Sequence, residues 1–312
     1  MNRITRALSR TLLPFVSIAP LAAQPQTHPT APVFPANARA VVIEVLGQSN
    51  AEGQDSDWST LDPTLQQLFD AQSFAWIWDD YINAGSNSFV PLTPGYVQSA
   101  AHQPGTANPW FGPEISLAYS LNRQFGVDVF IVKYAVGSTR LHPGTGRDWS
   151  PSSDGELLKD WRADYTYPAR AEMLNLGYAA DEVVHMGVVW AQGYTDGRNG
   201  FAPFYLSNLF SLIPDVRSHL HPESPFMLVQ SVNPAGFPGI DVVRAAQFLV
   251  GTTLSDCAYS ATDGLNTVIT ATGGTGVHLD NRSQLGNGIR IANSLLALYA
   301  QGNTPYLRLS DL

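Results

Sequence analysis

Residues 38–50 read ARAVVIEVLGQSN, and this stretch decides the fold. From Ala40 to Leu46 it is almost wholly apolar and rich in Val and Ile, broken only by Glu44. A short apolar run of this kind fits a strand covered on both faces, as in a parallel sheet flanked by helices. Three similar runs follow: VDVFIVKYA at 127–135, EVVHMGVVWAQ at 182–192 and PFMLVQSV at 225–232. Between them lie segments with helical spacing at 113–125, 169–180, 201–220 and 240–254. A last one covers 283–300, where Leu285, Ile289, Ile291, Leu295, Leu296 and Tyr299 supply a face to bury. Strands alternating with helices make right-handed parallel crossovers. The pattern predicts an α/β fold, a three-layer α/β/α sandwich with a central parallel sheet. Such sheets bind ligands at the carboxyl ends of their strands, so the polar residues just after each apolar run matter most.

Outside this frame the chain is less regular. Residues 1–23 place Arg3, Arg6 and Arg10 ahead of an apolar run ending near Ala22 and Ala23, the pattern of a secretory signal. The run is short for a membrane span and is interrupted by Pro14 and Pro20. With no cysteine after it to carry lipid, the expectation is a secreted or periplasmic protein without a membrane anchor. Residues 24–37 read as a Pro-rich leader, 38–303 as one domain and 304–312 as a tail. Within the domain, about 54–112 is an aromatic-rich insertion, with a short helix or strand expected somewhere from Leu61 to Trp78 and loops elsewhere.

Composition excludes some functions. The 312 residues hold 17 Lys and Arg against 26 Asp and Glu, a formal net charge of −9, without a basic cluster. Nucleic-acid binding draws most of its affinity from clustered cations, so no nucleic-acid partner is expected. The single cysteine, Cys257, rules out an intrachain disulfide framework and any multi-thiolate metal site, and suits a small buried apolar residue.

Four strand ends carry candidate chemistry. After the first strand, Gly47-Gln48-Ser49-Asn50 sets Ser49 at a strand-to-helix turn, where a hydroxyl can stand above the sheet beside free backbone N–H groups. The same serine would also suit a helix N-cap. Gly137, after the second long strand, offers an N–H with no side chain in the way. Gln192, after the third, carries an amide that can donate to an oxyanion, or cap a loop. His278 precedes the last helix and can serve as a base toward Ser49, since such partners are neighbours in space rather than in the chain. Trp78, Trp110 and Trp149 are candidate platforms for sugar rings, or else packing residues. His219 and His221 are close in sequence but suit a helix C-terminus better than a metal site.

Together these blocks resemble a known family. The order Gly-Gln-Ser-Asn, Gly112-Pro113-Glu114, Lys133-Tyr134-Ala135-Val136-Gly137-Ser138-Thr139, Trp190-Ala191-Gln192-Gly193 and a late His278 is similar to the SGNH-type hydrolases. Within them it resembles the branch of sialate O-acetylesterases and family-six carbohydrate esterases that deacetylate xylan. The resemblance covers about residues 40–300. It implies a flavodoxin-like sandwich, no metal or other cofactor, and hydrolysis of acetyl esters on an acetylated carbohydrate. By position it makes Ser49 the nucleophile, His278 the general base, and Ser49, Gly137 and Gln192 the oxyanion donors.

There are two departures. The family usually places Asp three residues before the histidine, where this chain has Thr275, and the glutamate of Trp-x-Gln-Gly-Glu is Tyr194. A triad acid could then come from Asp280 or Asp196, or a Ser–His dyad could rely on a backbone carbonyl or Thr275. Two rival functions stay open: a noncatalytic carbohydrate-binding relic, and an esterase for lipids or other short-chain esters.

Overall fold

The computed structural model describes residues 32–312 apart from 71, 81–84, 96–109, 154 and 270–274. The expected signal segment and most of the leader lie outside the described residues. The strands are β1 Ala40–Gly47, β2 Ala75–Asp79, β3 Ser88–Pro91, β4 Asp128–Ala135, β5 Val183–Ala191, β6 Phe226–Val229, β7 Cys257–Ser260, β8 Thr267–Ile269, β9 Thr275–Leu279 and β10 Leu307–Arg308. The helices are α1 Ser49–Glu52, α2 Pro63–Phe69, α3 Glu114–Phe125, α4 Glu156–Asp160, α5 Tyr167–Asn175, α6 Tyr194–Arg198, α7 Ala202–Ser218, α8 Pro238–Thr253 and α9 Asn281–Ala300.

The main sheet has the order β3-β2-β4-β1-β5-β6-β7. From β2 to β7 neighbours run parallel, while β3 joins β2 and β10 joins β5 antiparallel. The sheet is therefore mixed at its margins rather than wholly parallel. Every residue of β1 is buried. Val41, Ile43 and Val45 pack with residues of α3 and α9, and Ala40, Val42 and Leu46 with residues of α5, α7 and α8. This two-sided burial explains the apolar run and builds the three layers. The strands that follow β1 in sequence lie on its β4 side and, from β5 onward, on its other side, so the strand order switches at β1, the place where open sheets of this kind bind ligands at the carboxyl ends of their strands.

Within the expected insertion, α2 and β2 fall in the stretch from about Leu61 to Trp78 where a short helix or strand is expected, while β3 adds a strand where loops are expected. β2 pairs with β4, and Trp76 stacks on Phe130 at 6.4 Å between ring centroids. Two of the proposed sugar platforms are corrected here. Trp78 is 1% exposed, with its indole N–H on Asp164 O at 3.0 Å, and Trp149 is wholly buried, with its N–H on Thr139 Oγ1 at 3.0 Å. Trp78 ties β2 to the segment 161–166, and Trp149 packs its loop against Tyr134 of β4 and Trp190 of β5. Trp110 is half-buried.

Glu44, the one polar residue of β1, explains an irregular helix. Residues Trp161–Thr166 form a π-helical segment between α4 and α5. In an α-helix residues five apart diverge by about 140°, whereas i→i+5 winding aligns them. Trp161 Nε1 and Thr166 Oγ1 both donate to the buried Glu44 carboxylate, the former at 2.5 Å. Burial pushes the Glu44 carboxyl above its ordinary range against the opposing charge of Arg170.

His185 Nε2 lies 4.0 Å from Glu44 Oε1, and burial, with the Arg170 charge second, pushes its pKa down to about 3. Folding thus favours the neutral ring. Its contribution is complete above the ordinary value near 6.5 and is lost as pH falls toward 3, because the unfolded chain takes up a proton the folded one refuses. Glu44 acts in the opposite direction, so the comparison belongs between variant and parent. Urea unfolding is expected to show that His185→Leu loses about 2–3 kcal/mol less stability than the parent between pH 7 and pH 4.5. Equal losses would contradict this account.

Candidate active site

β1 ends in Gly47, whose φ is 149° and where a Cβ would stand 2.4 Å from Ala191 O. Only glycine lets β1 turn this tightly against β5. Gln48 follows, and its Oε1 accepts from Gly193 N at 3.1 Å and Thr195 N at 3.4 Å, tying the first loop to the third. Ser49 opens α1, 5% exposed. The first N–H groups of a helix have no acceptor within it. Gly137 comes from the β4 loop: a Cβ there would lie 3.2 Å from Glu52 Oε2 and 3.9 Å from the Ser49 Cβ. The backbone of Gly137 therefore lies directly against the serine turn.

His278 sits on β9, in a two-stranded hairpin outside the main sheet, rather than in a loop. The neighbour of Ser49 holds that strand in place. Asn50 Nδ2 donates to Val277 O at 3.0 Å, and Asn50 Oδ1 accepts from Leu279 N at 2.9 Å, so one side chain grips the backbone on both sides of His278. Farther along the chain from Asn50, Asp57 is held by Asn281 at the start of α9, which accepts from its N at 2.6 Å and donates to its O at 2.8 Å. His278 Nδ1 lies 2.6 Å from Asp55 Oδ2.

Neither expected carboxylate meets the imidazole in this way. Asp280 caps α9, accepting from Ser283 N at 2.8 Å. Asp196 is buried and accepts from Leu141 N and His142 N, each at 2.9 Å, and from Gln192 Nε2 at 2.6 Å. Burial raises the Asp196 carboxyl against these hydrogen bonds. Gln192 also departs from expectation. Its amide hydrogens go to Thr139 O, at 3.1 Å, and to Asp196, so the side chain ties the β4 and β5 loops together. Of the three expected oxyanion donors this leaves the backbone N–H groups of Ser49 and Gly137, on adjacent turns. His219 closes α7, with Nδ1 on the Tyr167 hydroxyl at 2.9 Å and Nε2 on Arg162 at 3.0 Å.

Below the turn, Lys133 is fully buried, its Nζ 3.0 Å from Glu114 Oε2 and donating to Glu52 O at 2.9 Å. Glu114 Oε1 accepts from Gly112 N at 2.9 Å. A lysine inside an apolar strand demands a carboxylate partner, which is the signal in the sequence that joins the Gly-Pro-Glu block to β4. Beside Asp55 runs an open trough of about 1140 Å³. Its lining holds the carboxylates of Asp55, Asp57, Asp62, Asp263 and Asp280 and the guanidiniums of Arg244 and Arg282. Each guanidinium already faces a carboxylate: Arg244 meets Asp263 at 2.5 Å and Arg282 meets Asp62 at 3.6 Å.

The three-layer sandwich has the fold of SGNH-type esterases, and the chain is a carboxylic ester hydrolase by its family. The chain belongs to the SASA family, the carbohydrate esterases described as sialic acid-specific acetylesterases, whose model matches residues 40–297. Solved structures agree in fold. NanS superimposes with a TM-score of 0.61 at 15% identity, covering 85% of this chain and 98% of its own. A protein from Arabidopsis thaliana gives 0.60 at 19% identity, covering 83% and 98%. A carbohydrate acetylesterase from Xanthomonas citri gives 0.51 at 18%, covering 81% of this chain and 55% of that one. Among curated proteins none matches. No described helix is long and apolar enough to cross a membrane.

Proposed function

We propose that the protein is an exported serine acetylesterase that removes O-acetyl groups from carbohydrates through an acetyl-serine intermediate. The observation that carries this reading is the coupling of the Ser49 turn to the His278 strand through Asn50, with Gly137 packed against the same turn. His278 Nε2 takes the Ser49 hydroxyl proton as Oγ bonds to the acetyl carbon. The N–H groups of Ser49 and Gly137 stabilise the oxyanion, each such donor being worth about 3 kcal/mol in the transition state. Collapse expels the sugar oxygen, which takes the proton from His278. Water then attacks the acetyl-enzyme with His278 as base, releasing acetate and restoring Ser49. Export rests on the arginine-led apolar segment at residues 1–23.

The trough favours an uncharged sugar over sialic acid. Its described lining presents five carboxylates against two guanidiniums already facing two of them, so an anionic sugar meets repulsion and, among the described residues, no free cation there. Acetate release is expected to be at least about tenfold faster from acetylated xylo-oligosaccharides than from O-acetylated sialic acid in low salt, with the gap narrowing as salt screens the field. Equal rates would refute the charge argument. Release from neither, with no labelling of Ser49 by a fluorophosphonate, would identify a carbohydrate-binding relic. Faster cleavage of long-chain acyl esters than of acetyl esters would point to a lipid esterase.

A further inference from the structure

We propose that Asp55 is the carboxylate that orients His278, so that nucleophile, clasp and acid all come from one short loop, residues 49–55. The inference rests on the serine esterase reading above and adds to it the member that Thr275 leaves out. Asp55 Oδ2 stands 2.6 Å from His278 Nδ1, the distance of a charge-assisted hydrogen bond. A carboxylate at Nδ1 selects the tautomer with its proton there, which leaves the Nε2 lone pair free to take a proton. The imidazolium formed during attack then meets a negative charge at its far edge.

The loop is shaped for this contact. α1 ends after one turn at Gly53, and Asp55 adopts φ 65°, the left-handed conformation that Asp tolerates better than most residues. That reversal brings the carboxylate back across β9, while Asn50 fixes the height of the strand from the other end of the loop. Ring and carboxylate are thus referenced to the same seven residues that carry Ser49. A family chain with its acid beside the histidine builds the dyad on the histidine segment. Here it is built on the serine segment, and the position three residues before His278 is released to become threonine. The Asp55 side chain is 46% exposed and borders the trough, so occupation of the trough by a sugar would shield the pair from water.

The test uses the full chain with 4-nitrophenyl acetate, comparing parent, Asp55→Asn, Asp55→Glu, Ser49→Ala and His278→Ala, with thermal melting as a check on folding. Asp55→Asn is expected to lower kcat by about 10²-fold or more, up to the 10⁴-fold seen when a triad acid becomes an amide, with KM within about threefold of the parent. Asp55→Glu recovers part of the loss. In the unmutated protein labelled with ¹⁵N-histidine, the His278 Nδ1 proton gives a far-downfield signal, absent from Asp55→Asn. A kcat for Asp55→Asn within twofold of the parent, with Ser49→Ala inactive, overturns the role of Asp55 and leaves the Ser–His reading standing. Lack of the downfield signal in the unmutated protein overturns it as well, whatever the variants do. If Ser49→Ala and His278→Ala both keep the parent rate, the reading beneath the proposal fails instead.

Discussion

Ser49→Ala is expected to lower kcat for acetyl esters by four to six orders of magnitude while leaving carbohydrate affinity within a few-fold of the parent. The hydroxyl is the only group proposed to bond to substrate, so its loss removes the covalent route altogether, and residual turnover comes from water held near the oxyanion donors. His278→Ala is expected to lie in the same range, because an unactivated serine hydroxyl is a weak nucleophile at neutral pH. The double variant is expected to be no worse than either single one. Nucleophile and base act as a unit, and in comparable hydrolases removing either costs about as much as removing both. Steady-state kinetics on the three variants, with sugar binding measured separately by calorimetry, checks both claims. Additive losses in the double variant would mean that the two residues work in separate steps.

The framework was legible because parallel-sheet burial leaves a strong trace. β1, β4, β5 and β6 are apolar on both faces, and each appears in the sequence as a continuous run. β2 and β3 left a weaker trace, since AWIWD and SFVP are short and half-covered, and their aromatic residues suggest exposure as readily as packing. Trp78 and Trp149 fit either role in the sequence, because an indole carries a polar edge that a backbone carbonyl or a threonine can satisfy inside a core as well as a sugar can at a surface.

The polar residues divide along another line. Ser49, Gly137 and His278 could be singled out in the sequence because each follows or precedes a regular element at a position where chemistry is exposed. Asp55 was not, because its contact depends on a left-handed backbone turn after a one-turn helix, which nothing in Gly53-Gln54-Asp55-Ser56 announces. Asp196 and Asp280 were plausible acids on sequence grounds, yet each sits where backbone N–H groups need an acceptor, Asp280 at the start of α9 and Asp196 under the β4 loop. Carboxylates near a site in sequence are often committed to holding its loops.

Lys133 gives the largest expected effect on stability. Its ammonium is fully buried in β4, paired with Glu114 at 3.0 Å and bonded to the Glu52 carbonyl three residues past the nucleophile. Lys133→Ala would strand the 2%-exposed Glu114 charge and open a cavity beneath α1. Removing one partner of a buried pair costs about 3–5 kcal/mol, a large share of the 5–15 kcal/mol that holds a typical domain together. Lys133→Met with Glu114→Gln removes both charges and fills most of the space, so the double variant is expected to recover at least half of that loss in urea unfolding. Its activity should recover less than its stability, because the methionine cannot donate to the Glu52 carbonyl and the turn bearing Ser49 loses its prop. A Lys133→Ala protein within 1 kcal/mol of the parent would show that the pair contributes little to the fold. A double variant with parent-like kcat would show that the serine turn holds its shape without the lysine.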